Sequence, residues 1–209
     1  MAYLSDFLPY VLPYLPGCST PLAEMTIRQI CIDFCNHSQV VQVQLDPMDI
    51  IKGETVYDIE TPNGSETVFI RQAYFRGGLM PIINGIDAIC FPSTTPPGIP
   101  TALQQKENNA FELDRPSAND FPQSLLMLVS IRPTRNTNVV ADVLLNDYAY
   151  GIGQGVIGRL ALMPGQAFSN PGMAAVANEA YLRCRTEARI RAGKEFAIMS
   201  TRIKPRQFR

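Results

Sequence analysis

The residues of this chain that could act as nucleophiles, bases or metal ligands are few. The 209 residues include five cysteines and one histidine. Cys31 and Cys35 stand four residues apart, which places both on one face of a helix, but His37 is poorly spaced to complete a metal site with them. Free cysteines in such positions commonly pack as small apolar side chains. We therefore expect no metal ion and no other cofactor.

Catalysis by a side-chain nucleophile would require a base beside it, and His37 is the only histidine. Neither a Gly-x-Ser-x-Gly elbow nor a Ser-x-x-Lys element occurs. Two carboxylate pairs lie in turn-like sequence, where aspartate commonly bonds the local backbone: Asp46 with Asp49, and Asp114 with Asp120. The sequence predicts that the protein is not an enzyme, and a hydrolase acting through Cys35 and His37 is the weakest hypothesis.

A glycine-rich stretch runs from Gly151 to Gly158 and superficially resembles a dinucleotide fingerprint. A true fingerprint follows a strand and opens a helix, whereas this stretch lies within an apolar segment of helical period. Each glycine costs a helix about 1 kcal/mol relative to alanine. The pattern therefore predicts close approach of a second helix, with Gly151, Gly155, Gly158 and Ala161 as the packing residues.

Charge is divided unevenly along the chain. Residues 183–209 contain nine Lys or Arg and two Asp or Glu, a net charge of +7, so residues 1–182 carry −8 of the total of −1. A basic end on an acidic body favours docking on an acidic surface. Apolar residues lie among these charges, and such residues favour binding in a groove on another protein. Clustered arginines also bind phosphates, so nucleic acid is a competing interpretation.

The pattern along the chain predicts helices at both ends of a β-rich segment. Prolines interrupt residues 1–20, which predicts an anchored arm or short helical turn. An amphipathic helix of about 20 residues should follow Thr20-Pro21 and include Val41 on its apolar face. Helices are also predicted over Val139–Met163 and from Pro171 to about Gly193. We expect no membrane span and no signal peptide, and hence a soluble, unexported protein.

Strands are predicted between these helices. The clearest candidates are Thr55–Glu60 and Glu66–Phe75, joined as a hairpin through Asn63-Gly64. Leu79–Ile82 and Leu125–Arg132 are two more. Four prolines from Pro92 to Pro100 predict a long irregular stretch that reaches about Phe121.

This order of elements predicts an α+β fold: a small bundle of three main helices with a β-rich insertion after the first helix. The predicted parts are an arm and first helix (1–44), the insertion (45–137), the second and third helices (138–193), and an extended basic tail (194–209). Strands do not alternate with helices, which disfavours a doubly wound sheet and its ligand crevice.

The two helical segments resemble head-to-tail adaptor (connector) proteins of tailed bacteriophages. The resemblance rests first on Pro9-Tyr10-Val11-Leu12-Pro13 and Pro16-Gly17-Cys18, followed by the helix from Ile27 to Cys35. It continues in Arg159-Leu160, Leu162-Met163-Pro164-Gly165, Ser169-Asn170-Pro171 and the last helix. About half the chain is covered, and the Pro-rich segment near 92–121 has no counterpart.

The resemblance implies a structural virion protein at the junction of capsid and tail, made in the host cytoplasm. Such adaptors form a ring, usually of twelve copies, that binds the portal protein, gives the tail or nozzle protein a platform, and lets double-stranded DNA pass without sequence-specific binding. Gly151, Gly155, Gly158 and Ala161 would then also serve ring contacts. The tail would dock on the portal through these residues: Phe196, Ile198, Met199, Arg202, Ile203, Lys204, Arg206, Phe208 and Arg209.

Two other functions stay open. A tail-completion or tail-tube terminator protein is the near neighbour of the adaptor and differs in its partner. A nucleic-acid-binding protein would use the Arg-rich C-terminus, and its binding to duplex DNA would weaken steeply with salt.

Overall fold

A computed structural model describes residues 1–83 and 96–194 and contains both helices and strands, as predicted. The α-helices are α1 (Thr20–Ser38), α2 (Asp142–Leu160) and α3 (Pro171–Gly193), and two 3-10 helices span Leu4–Tyr10 and Leu12–Tyr14. The strands are β1 (Ala2–Tyr3), β2 (Gln42–Gln44), β3 (Met48–Ile50), β4 (Val56–Asp58), β5 (Ser65–Phe75), β6 (Gly78–Met80), β7 (Leu103–Glu107), β8 (Ala110–Leu113), β9 (Phe121–Pro133) and β10 (Val139–Val140).

The N-terminal arm, residues 1–19, lies against the helices and is made of short helical turns. Its prolines prevent a long helix, and Phe7, Val11 and Leu15 are buried. β1 pairs with β10 directly before α2. The Met1 ammonium forms an ion pair with Asp142 Oδ2 at 2.6 Å. The start of the arm is thus fixed beside the start of α2.

Helix α1 buries the face that the sequence predicts and ends earlier than predicted. Ile27, Ile30 and Phe34 are buried along it. Gln39 takes a left-handed conformation with φ 53°, which ends the helix after Ser38. The prediction that Val41 belongs to this helix is wrong, because Val41 lies beyond the cap.

A five-stranded antiparallel sheet forms the larger β unit. Its order is β2-β9-β5-β6, with β3 also pairing with β9. β9 is longer than the predicted Leu125–Arg132 and begins at Phe121. Side chains such as Ile70 and Val129, which are paired in register, are fully buried. α1 packs on β9, so this sheet shares its core with the helices.

The predicted hairpin through Asn63-Gly64 does not form. β4 pairs with β8 in a separate three-stranded sheet, whereas β5 belongs to the larger sheet. Gly64 does adopt a turn conformation, with φ 77°. Its carbonyl accepts a hydrogen bond of 2.9 Å from the Thr134 amide after β9. The turn therefore moves the chain from one sheet to the other.

The prediction of an irregular stretch up to about Phe121 is wrong for the residues after Pro100. β7 and β8 form a hairpin there and complete the sheet β4-β8-β7. Leu103, Phe111 and Leu113 are buried. The sequence does not predict β7, because residues 104–107, Gln-Gln-Lys-Glu, lack the β-branched and aromatic types typical of strands. Residues 84–95 lie outside the described structure.

Helices α2 and α3 follow the sheets. α2 is shorter than the predicted Val139–Met163, because Val139–Val140 form β10 and Ala161 caps the helix. α3 spans the predicted Pro171–Gly193. The Asn170 side chain caps it by accepting a hydrogen bond of 3.0 Å from the Met173 amide. None of the helices in the described ranges has the length and apolar character needed to cross a membrane.

Candidate interaction site

The predicted packing residues of α2 lie against α3. A Cβ atom on Gly151 would lie 2.2 Å from Cys184 Sγ, and one on Gly155 would lie 2.7 Å from Tyr181 Cδ2. A Cβ atom on Gly158 would lie 3.1 Å from the Asn178 backbone nitrogen. Because α3 approaches this closely, side chains larger than hydrogen do not fit at Gly151 and Gly155 without displacement.

Ala161 lies at the end of the same helix and is fully buried. Its carbonyl accepts a hydrogen bond of 2.9 Å from the Asn170 amide, the residue that caps α3. Ala161 thus fixes the connection between α2 and α3.

A groove of about 960 Å³ runs between α1 and α3, with Gly155 and Gly158 of α2 at its base. We name it the α1–α3 groove. Exposed apolar residues Met25, Leu162 and Leu182 line it. Four arginines and one aspartate also line it: Arg28, Arg135, Arg159, Arg185 and Asp33. Its surface therefore combines apolar contact area with a net positive charge.

Asp33 of α1 is the polar centre of the groove. Its Oδ2 accepts hydrogen bonds from the Tyr181 hydroxyl at 2.5 Å and from Arg185 Nη1 at 3.0 Å. The Arg185 guanidinium also lies 5.6 Å from the centre of the Tyr181 ring, in cation–π geometry. His37, one helical turn away, places Nδ1 3.3 Å from Asp33 Oδ1.

The Tyr181 hydroxyl is a donor at neutral pH. Burial of the side chain raises its pKa, and the bond donated to Asp33 raises it further. The ring packs at 6.3 Å from that of Phe34, which in turn lies 5.2 Å from Tyr148. This aromatic group joins all three α-helices beneath the groove.

Two other arginines of the groove are held by neighbouring polar groups. Arg28 donates from Nε to the Thr137 carbonyl at 2.8 Å and from Nη2 to Asn138 Oδ1 at 2.5 Å. Arg159 donates to Gln29 Oε1 at 3.2 Å. Because these partners are neutral and neither arginine forms an ion pair within residues 1–83 and 96–194, both contribute positive charge to the groove, which is suited to electron-rich groups.

The residues considered for catalysis do not form a catalytic arrangement. Cys35 is fully buried, and burial raises the pKa of its thiol to about 12. A thiol in that state is not a nucleophile at neutral pH. His37 is half-exposed and turned to Asp33. Cys35 and His37 therefore lack the features that the hydrolase hypothesis needs.

Three of the four paired carboxylates, Asp49, Asp114 and Asp120, accept hydrogen bonds from backbone amides instead. Asp49 Oδ1 accepts from the Gln123 amide at 2.6 Å, and Asp120 Oδ1 accepts from the Lys52 amide at 2.7 Å. Asp114 accepts from both the amide and the hydroxyl of Thr101. Among residues 1–83 and 96–194, no three His, Cys, Asp or Glu side chains are grouped so that they could hold a metal ion.

The predicted portal-docking residues, Phe196 to Arg209, lie outside the described structure, which ends at Lys194 after α3. The sequence-based prediction did not include Asp33, Tyr181 and the arginines of the groove. A signal for Tyr181 exists, since it follows Ala174 and Ala177 at offsets of seven and four on the buried face of α3.

No family model matches this sequence, and a search of curated proteins finds no similar one.

Proposed function

We propose that this protein is a head-to-tail adaptor of a tailed bacteriophage. Its copies form a ring, of twelve subunits in the usual arrangement of such adaptors, between the portal protein and the tail. The resemblance of the two helical segments supports this function. In the proposal, α1, α2 and α3 act as a three-helix bundle that forms the body of the ring.

Unpaired apolar surface on the helical part carries the proposal. Val176 and Ile190 are both exposed, and a separation of 14 residues places them on one stripe of α3. Between them lies the exposed ion pair of Arg183 with Glu179, at 3.2 Å. In the proposal, these aligned apolar residues supply contact area for another protein. A ring subunit needs such surface for its neighbours and for the portal.

The smaller sheet offers a second contact region, which we assign to the tail or nozzle protein. Ile51 and Ile99 are exposed, and their neighbours Lys52 and Gly98 both form bridges to Ser117. The two apolar side chains thus flank one segment of the β unit, the one that contains Ser117. This region is separate from the helices proposed to form the ring.

A nucleic-acid-binding function is less well supported than the adaptor. Three arginines of α3 that would contact phosphates are already engaged by carboxylates. Arg183 pairs with Glu179, Arg185 with Asp33, and Arg191 with Asp147 at 3.5 Å. Each pair would have to be broken or shared on binding DNA. For the ring, the −8 charge of residues 1–182 would let DNA pass through the channel with few phosphate contacts.

Cryo-electron microscopy of the protein mixed with the portal protein of the same genome tests the proposal. We expect a ring seated on the portal with the β unit pointing away from it. Rings that bind only a tail tube would favour the tail-completion protein instead. Binding to duplex DNA that falls steeply with salt would favour the nucleic-acid-binding function. A lumen lined by Arg or Lys would contradict the proposed DNA channel.

Two variants examine the tail. Deletion of Lys194–Arg209 should leave the fold intact and abolish portal attachment. The second variant is the full chain with four tail cations replaced by Gln: Arg202, Lys204, Arg206 and Arg209. It keeps the apolar residues of the tail, so it separates their contribution to portal binding from that of charge. A truncated protein that still decorates portal rings would refute the docking role of the tail.

A further inference from the structure

Helix α2 separates two surfaces of different shape. Gly155 and Gly158 form the base of the α1–α3 groove. Gly153 faces the arm instead, since a Cβ atom there would lie 3.0 Å from Tyr10 Cβ and 3.2 Å from the Tyr10 carbonyl oxygen. At about 100° per residue, Gly153 points about 160° away from Gly155. The arm and the groove therefore lie on opposite sides of α2.

Exposed tyrosines lie on the arm side of α2, and Tyr10, Tyr14 and Tyr150 are among them. The exposed fractions of Tyr10, Tyr14 and Tyr150 are 42%, 53% and 65%. Tyr150 precedes Gly153 by three residues and so lies on the same side of α2 as Tyr10. Tyr14 lies in the 3-10 helix directly after Tyr10. We name Tyr10, Tyr14 and Tyr150 the tyrosine face.

We infer that the tyrosine face of one copy of this chain occupies the α1–α3 groove of the next copy. This inference rests on the proposed ring. A ring is closed by heterologous contacts, which need two different, complementary surfaces on each subunit. The tyrosine face and the α1–α3 groove lie on opposite sides of α2 and provide these two surfaces. Each subunit would then contact the next one in the same direction around the ring.

The chemistry of the two surfaces is complementary. Tyrosine rings bury apolar area and attract cations above their faces. The groove offers apolar area through the exposed side chains of Met25 and Leu182, and it offers cations through Arg135 and Arg159. Tyrosine and arginine are also the residue types enriched at the centres of protein interfaces. Asn36 and Asn178 line the same groove and can bond a tyrosine hydroxyl.

Charge favours the same pairing. The groove is lined by four arginines and a single aspartate. Residues 1–19 contain one acidic residue, Asp6, and neither Lys nor Arg. The only cation of the arm, the Met1 ammonium, is bound to Asp142. The arm therefore meets no like-charge repulsion in the groove, whereas the basic α3 of a neighbouring copy would be repelled by it.

Photo-cross-linking of the full chain tests the contact. Tyr14 is replaced by a benzoyl-phenylalanine, the purified protein is irradiated at the highest concentration at which it stays dispersed, and cross-linked peptides are mapped by mass spectrometry. Cross-links between copies should join position 14 to groove peptides containing residues 25–36 or 174–185, and residues 160–170 are left out because Ala167 lies beside Gly17 of the same chain. The same probe at Leu79, a still more exposed position on β6, should give no cross-links to these peptides. Cross-links from position 14 that map elsewhere, or none at all, would overturn the inference.

Two charge-introducing variants provide an independent measurement. Leu182→Asp removes apolar area from the groove and places an anion against the acidic arm and the tyrosine rings, so it should weaken self-association at least tenfold, while Leu79→Asp should leave it unchanged. Circular dichroism verifies that both variants fold. Rings on the portal whose cross-links avoid the groove would overturn this contact and leave the adaptor function standing. Groove cross-links in a protein that ignores the portal would support the contact and contradict the adaptor function.

Discussion

The hydroxyl of Tyr181 on α3 donates a hydrogen bond of 2.5 Å to Asp33 Oδ2 on α1. This contact joins two helices that are 148 residues apart in the chain. The same carboxylate holds Arg185, so one acidic side chain of α1 binds two residues of α3 that lie one turn apart. The relative position of α1 and α3, and hence the width of the groove, depends on it.

Replacing Tyr181 by Phe tests this contact. The ring still packs on Gly155 and Phe34, so the variant removes only the hydroxyl. A hydrogen bond to a charged group contributes about 1.5–3 kcal/mol, and we expect the free energy of unfolding to fall by about 1–2 kcal/mol because the partly exposed Asp33 regains water. Urea denaturation measures the change.

The matched control is Tyr74→Phe, since the Tyr74 hydroxyl makes a longer bond of 3.4 Å to the neutral Gln72 Oε1. Loss of the Tyr74 hydroxyl should lower the free energy of unfolding by less than loss of the Tyr181 hydroxyl. If the two substitutions lowered the free energy of unfolding equally, the bond to Asp33 would contribute no more stability than the bond to Gln72.

Gly155 tests the close packing of the helices. An alanine Cβ there would lie 2.7 Å from Tyr181 Cδ2 and 3.0 Å from Ile30 Cγ2. The substitution gains about 1 kcal/mol of helix propensity, but overpacking of a core costs about 1–3 kcal/mol. We expect Gly155→Ala to destabilise the protein, as measured by thermal and urea denaturation.

Gly193→Ala is the control within a helix, because nothing lies within 4 Å of a Cβ at that position. It should be neutral or stabilising. A Gly155→Ala variant that is as stable as Gly193→Ala would contradict the packing role of Gly155.

The helices could be predicted from the sequence because their signals are local. Asn170 and Pro171 predict the start of α3, and the spacing of Ile27, Ile30 and Phe34 predicts the buried face of α1. The partners of strands depend on contacts between distant residues. Asn63-Gly64 does form a turn, yet the flanking strands pair with different neighbours, which no local signal specifies.

The candidate site could be predicted in part. The glycines of α2 indicated close helix packing because a glycine in a helix has a local cost. The groove could not be predicted, since its walls come from α1 and α3, which are far apart in the chain. Asp33 has the period of an exposed position on α1, and only the approach of Tyr181 and Arg185 gives it a structural role.

The cysteines should differ in their reaction with iodoacetamide. Cys31 and Cys35 are fully buried, and burial raises the pKa of both thiols. Cys18 and Cys184 are half-buried. In the native protein we expect peptide mapping to find Cys18 and Cys184 modified before Cys31 and Cys35, which stay protected until urea unfolds the chain. Early modification of Cys35 in the folded protein would contradict its assigned burial and reopen a catalytic role for it.

Asp114 gives the stability of the smaller sheet a dependence on pH. Partial burial raises the pKa of its carboxyl, but the hydrogen bonds from Thr101, Arg115 and Ala102 outweigh burial and lower the pKa below its ordinary value of 3.8. A carboxyl whose pKa is lower in the folded state stabilises the protein at pH values above its pKa in the unfolded chain, and this contribution is lost as the pH falls through the folded-state pKa.

At pH 7, Asp114→Asn should therefore lower the urea midpoint of unfolding. The difference from the original protein should shrink as the pH falls below about 4, where the unfolded carboxyl becomes protonated. Asp46→Asn, on an exposed loop, controls for the loss of one charge. A difference between Asp114→Asn and the original protein that is constant from pH 7 to pH 3 would mean that the carboxylate of Asp114 does not hold β7 and β8 through its charge.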